Sequence, residues 1–148
     1  MIDILKLIKK NKLIIRYKAE LPSITEEVRK AFSQYQSCEQ FLSNYISRFK
    51  YKPGNNNIDI ERMLKQEESD CFGISYLLYF FCKEFFPEEE FGLVFLKNLE
   101  NSKGHVVFLT KNFIYSFKNT YSTSLKKGNK IVLILYKDYF YTGVSNDN

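Results

Sequence analysis

Asp70-Cys71-Phe72-Gly73-Ile74-Ser75-Tyr76-Leu77-Leu78-Tyr79-Phe80-Phe81-Cys82 is the most apolar stretch of the chain. It is too long for an ordinary strand. Asp70 is a good N-cap, because a short carboxylate can accept from the amides that a first helical turn leaves open. Pro87 and the run Glu88-Glu89-Glu90 end the pattern. The segment therefore reads as a helix that is apolar nearly all round. Such a helix has no face to give to water and belongs at the centre of a domain.

Downstream, the rhythm changes. Residues 91–97, 104–110, 113–118 and 131–136 are rich in Val, Ile, Phe and Tyr and read as strands. Upstream, residues 2–10 suit a short helix with lysines on its outer side, and 13–17 a short strand. Ser23-Ile24-Thr25-Glu26 has the form of a capping box and opens a helical pattern from 24 to about 49, with a break near Ser37. Residues 52–57 form a loop by composition, and 58–66 a short helix. Helices first, one central helix, then a run of strands: this order predicts an α+β domain, with an antiparallel sheet packed on the central helix.

The chain has 148 residues, enough to bury a real core as one domain. Residues 1–49 form its helical N-terminal part and 58–142 its core. At 45% hydrophobic and 26% charged residues, the composition is globular and not disordered. The net charge of +5 comes from lysines scattered along the chain, whereas a nucleic-acid surface needs them clustered. Nucleic acid is therefore not the expected partner. No stretch approaches the roughly 18 apolar residues of a membrane span, and no signal peptide is visible. Three cysteines at irregular spacing do not make a disulfide framework, and one histidine without a CxxC suggests no zinc site. No metal or cofactor is implied, and the expected location is a reducing cytoplasm.

Cys71 stands in the first turn of the central helix. Open amides and the positive end of the helix dipole favour a thiolate there. Thiolate chemistry also wants an imidazole, and His105 is the single histidine. It begins the strand 104–110, directly after a glycine. The third group, which would orient the ring, depends on the following turn. A three-residue turn at 111–113 pairs residue 105 with Asn119 and aims Phe113, Tyr115 and Phe117 at the helix. That register buries more apolar surface and is preferred. A two-residue turn at 111–112 puts Ser116 and Lys118 on the histidine's face instead. Gln66, just upstream of the cysteine, is a candidate oxyanion donor by position.

At these residues the sequence resembles the transglutaminase-like and papain-like cysteine peptidase superfamily, in its bacterial and phage forms. Ser69-Asp70-Cys71 matches the Gly-Asp-Cys that opens the family's central helix. Gly104-His105-Val106-Val107 matches its histidine strand, and Asn119 the third position one strand later. The likeness covers roughly residues 45–120 and includes the lead-in loop 51–54 and the helix 58–66. Ser69 departs from the family's glycine, and asparagine replaces the acidic third residue. The resemblance implies the papain/transglutaminase-like fold and a catalytic set of Cys71, His105 and Asn119. It implies hydrolysis or transfer of a peptide or protein amide through a Cys71 acyl-enzyme, with His105 as acid and base. A different reading keeps the fold without the chemistry. It is a structural or adaptor subunit, such as a phage virion component, assembling with protein partners through the basic helix of residues 2–12.

Overall fold

The structure is a computed structural model, and it describes residues 2–20, 23–53, 59–117, 120–122 and 124–143. The apolar segment forms helix α5, Cys71–Phe85. Asp70 caps it, its Oδ1 accepting from the Gly73 amide at 2.8 Å. Gly73 through Cys82 are all buried, as a helix without a polar face requires. α5 stops where Phe86 leaves helical geometry ahead of Pro87.

Five further helical pieces precede or flank it in the first half of the chain. They are α1 (Ile4–Lys10), α2 (Glu26–Ser33), α3 (Cys38–Asn44), a single 3-10 turn at Ile46–Arg48 and α4 (Ile60–Gln66). The break expected near Ser37 separates α2 from α3, and Ser37 itself caps α3 by accepting from the Gln40 amide. The capping box expected at Ser23–Glu26 is displaced. Thr25 is the N-cap of α2; its hydroxyl accepts from the Val28 amide and donates to Glu61 of α4. That second bond ties the start of α2 to another helix, which Ser23 does not do in any described contact.

The strands are β1 (Leu13–Lys18), β2 (Lys50–Tyr51), β3 (Glu68–Ser69), β4 (Phe91–Asn98), β5 (Gly104–Thr110), β6 (Ile114–Ser116), β7 (Thr120–Ser122), β8 (Asn129–Tyr136) and β9 (Tyr139–Gly143). Seven of them make one antiparallel sheet in the order β1-β9-β8-β4-β5-β6-β7. The fold is thus mixed helix and antiparallel sheet, of the α+β class. β1 of the N-terminal part runs in the same sheet as the strands that follow α5.

The sheet has two covered faces. On one, Leu93, Val106, Phe108, Tyr115 and Leu135 pack with α5, and α2 and α3 pack behind that helix. On the other, Val94, Val107, Leu109, Ile114 and Ile134 pack with Ile4 and Ile8 of α1. β4 lies under both layers, so its sequence is a near-continuous apolar run instead of an alternation. Gly92 permits this crowding, because a Cβ there would stand 2.7 Å from the Leu135 carbonyl oxygen.

β2 and β3 form a separate two-stranded parallel pair, with Lys50 opposite Glu68 and Tyr51 opposite Ser69. Two-residue strands carry no readable period, and none was expected. They have a positional effect all the same. The Lys52 amide donates to the Ser69 carbonyl at 2.9 Å, which fixes the chain just before α5 begins and brings Tyr51 to its entrance. Among the described residues no helix is long and apolar enough to cross a membrane.

Candidate active site

β5 and β6 pair only at Phe108–Tyr115 and Leu109–Ile114. Before residue 108 the two strands part, and the first turns of α5 occupy the gap. Ser75 Oγ donates to the Val106 carbonyl at 3.3 Å, and the Cys71 sulfur lies in hydrogen-bond contact with the Val106 backbone. The cysteine therefore sits at the edge of β5, beside the residue that follows His105. It is partly exposed, whereas Cys38 and Cys82 are buried; all three are free thiols.

The pairing overturns the preferred register. Phe108 opposite Tyr115 means that the turn is Lys111-Asn112, not the three-residue one. Thr110 shortens it: its hydroxyl accepts from the Asn112 and Phe113 amides, and its own amide donates to the Phe113 carbonyl at 2.9 Å. Phe113, Tyr115 and Phe117 pack against the α5 core as expected. The error lay in placing His105 with them. Strand alternation puts Val106 and Phe108 toward α5 and His105 on the side of Val107 and Leu109. Ser116 is on that side too, and His105 Nε2 lies 2.6 Å from Ser116 Oγ. Ser116 is thus the observed partner of the imidazole, while Asn119 lies outside the described residues. The ring thus pairs with Ser116, and no hydrogen bond or charge coupling joins it to Cys71 in this structure.

Cys71 and His105 open onto one cavity of about 500 Å3, walled by Tyr51, Phe72, Phe95 and Lys97 among others. Phe72 packs on Phe95 at 5.7 Å between ring centroids, so the wall beside the sulfur is aromatic. Gln66 closes α4 and does not line this cavity. The aromatic wall is assembled from β2, α5 and β4, and no single stretch of sequence announces it.

Charge in the site differs from the expectation of a resting thiolate. Burial pushes the Cys71 thiol up from its ordinary value, and the Asp70 carboxylate adds to this. The amides of Val106, Phe72 and Cys71 itself pull the other way but do not win. Burial also holds the His105 imidazole below the usual histidine value, with Lys126 contributing. Both shifts favour neutral forms, so the resting pair is thiol and imidazole rather than thiolate and imidazolium. Asp70→Asn separates cap from charge, since asparagine caps as well as aspartate. Its Cys71 should be alkylated by iodoacetamide with a midpoint at lower pH than the wild type. An unchanged midpoint, read by peptide mass spectrometry, would show that the Asp70 charge is not felt at the sulfur.

Comparison with known proteins adds one result at the level of structure. No protein-family model matches the sequence, and no curated protein matches it. The fold is similar to that of Legionella pneumophila LapG. The match to LapG (EGTA-treated) has a TM-score of 0.57 and covers 86% of this chain and 90% of LapG, at 12% sequence identity. At that identity the likeness speaks for the arrangement of helices and strands, and not for any residue of the site.

Proposed function

We propose that this chain is a thiol hydrolase of peptide or protein amides, with Cys71 as nucleophile and His105 as acid and base. The observation that carries the reading is the cysteine at the mouth of α5. It is held against the edge of β5 and shares one cavity with an imidazole whose Nε2 is fixed by Ser116. The similarity in fold to Legionella pneumophila LapG supports the arrangement of helices and strands on which the reading rests.

The chemistry follows from the neutral resting pair. As the sulfur attacks the amide carbonyl carbon, the S–H proton passes to the imidazole, and the carbonyl oxygen takes the negative charge. The Cys71 amide at the start of α5 is placed to donate to that oxyanion. Collapse of the intermediate breaks the C–N bond. The imidazolium returns its proton to the departing nitrogen, leaving a thioester on Cys71. Water, deprotonated by the same imidazole, attacks the thioester, and the carboxylic acid leaves as the thiol is regenerated.

Acylation by p-nitrophenyl acetate, followed by intact-mass spectrometry, tests this directly. The wild type should gain one acetyl group on Cys71, and His105→Ala should acylate about 100-fold more slowly, the usual worth of a positioned general base. The wild-type rate should fall on the acid side as His105 takes up its proton, at a pH below the ordinary histidine value of 6.5. Linkage has the same sign. The unfolded chain takes that proton first as pH falls through 6.5, so the stability due to a neutral buried His105 is present above 6.5 and is lost as pH falls through its lower folded value. Equal acylation rates in wild type and His105→Ala would remove the imidazole from the reaction.

A further inference from the structure

β1 is an edge of the seven-stranded sheet. Among the described residues no strand lies on its far side, so a row of its amides and carbonyls faces outward there. Four of the eight exposed large hydrophobic side chains among the described residues lie on this strand or its neighbour: Ile14, Ile15, Tyr17 and, on β9, Tyr139. Ile15 and Tyr17 are 56% and 58% exposed. A bulge between them puts them opposite consecutive residues of β9, Tyr141 and Phe140, and so on opposite faces of the sheet. A strand added at this edge would find apolar surface on both faces.

Positive charge predominates along the edge strand and in the helix before it, with Glu20 an exposed acid just beyond β1. Lys6, Lys9, Lys10, Lys12, Arg16 and Lys18 lie within residues 2–18, against the single acid Asp3, whose carboxylate is spent accepting from the Lys6 amide as the cap of α1. Cations and a bulge are the usual means by which an edge strand resists pairing with its own copy, because antiparallel self-pairing sets like charges against each other. The same charges attract a strand of opposite sign.

We propose that β1 is a docking edge for an extended acidic segment of a protein partner, in which Asp or Glu alternates with Val or Ile, and which adds to the sheet as an eighth strand. Backbone hydrogen bonds supply the common part of the affinity, Ile15 and Tyr17 the apolar contacts, and the flanking lysines the choice of partner. This surface is separate from the cavity that holds Cys71, and the inference stands whether or not the chain is an enzyme.

The test uses the whole chain and a fluorescein-labelled peptide of about eight alternating Glu and Val residues, a usual strand length. Fluorescence anisotropy should show binding that weakens about tenfold or more between about 50 and 300 mM salt, as charge pairing at an exposed edge does. The Lys-Val peptide should not bind. A Glu-Val peptide with alternate backbone N-methyl groups should bind at least about tenfold more weakly, since it cannot complete the ladder. On the protein, Ile15→Glu should abolish binding, while the neutral β-branched Ile15→Thr should retain it. Three results would each overturn the proposal: no binding of the Glu-Val peptide, equal binding of the N-methylated peptide, or undiminished binding by Ile15→Glu. A concentration-dependent dimer in sedimentation that the peptide disperses would also overturn it, making a second copy the occupant.

Discussion

Cys71→Ala should abolish the acyl-enzyme proposed for this chain, with an expected fall of about 10³-fold or more in the rate of any amide or ester turnover. The size of the effect follows from the absence of a substitute. Cys38 and Cys82 are 7% and 1% exposed in the aromatic core. The Cys82 thiol is pushed far up by its hydrogen bond with Cys38 and by burial, so it stays protonated. Ser116, which is bonded to the imidazole from the side opposite α5, does not line the cavity. Folding should survive the change, because Cys71 is only partly buried and alanine is a good helix former. A thermal melt within a few degrees of wild type, together with no acetyl adduct by mass spectrometry, is the expected pair of results. An acetyl group still transferred, and mapped to another residue, would end the proposed role of Cys71.

The other large effect is on stability. Phe81→Ala should lower the unfolding free energy by about 3–5 kcal/mol, the range for deleting a fully buried Phe side chain. Phe81 is wholly buried and is the ring on which the helical layer converges. It stacks on Phe41 of α3 at 4.3 Å and meets Phe32 of α2 edge-on at 5.6 Å. Phe85 and Phe86 approach it from the end of its own helix. Removing it leaves a void between three helices that are each too short to hold their shape alone. Domains of this size are stable by about 5–15 kcal/mol, so the variant should be close to its limit at room temperature. Guanidinium unfolding followed by circular dichroism reads the change. A loss below about 1 kcal/mol would mean that α2 and α3 close over the gap at little cost.

The sequence makes α5 legible because several local signals agree: a capping carboxylate, an apolar surface all round and a proline after the end. The strands β4, β5 and β8 are legible for a similar reason, as runs of β-branched and aromatic residues too crowded for a loop. The site is legible only in part. Cys71 could be found from its place in the helix, and His105 by being the single imidazole. Their environment could not be read, because the sign of a pKa shift depends on burial, and burial depends on where Tyr51, Phe72 and Phe95 converge from distant parts of the chain. The third group shows where linear reasoning stops. The aromatic face of β6 was assigned correctly, yet the histidine does not share it. What decides its partner is the hydroxyl of Thr110, which tightens one turn, and the parting of β5 from β6, which lets a helix enter at a strand edge. Neither event leaves a periodic trace. β2, β3, β7 and β9 escaped notice for a plainer reason: three of them have two or three residues, and β9 follows β8 with only Lys137 and Asp138 between.

The pairing of β1 with β9 also sets an order of events during synthesis. Arg16 bonds to Thr142 across a separation of 126 residues. At usual rates of translation the first strand would wait roughly 6–25 s for its neighbour to be made. In that interval the β2–β3 pair, α5, β4, β5, β6 and β8 are already available, and they carry Cys71, His105 and its partner Ser116. The candidate site can therefore assemble while the sheet is still unfinished on one side, with Ile14, Ile15 and Tyr17 open to any passing chain. A nascent domain of this design is most vulnerable to aggregation along β1, and the lysines and arginine around that strand are the protection it carries until the β8–β9 hairpin arrives.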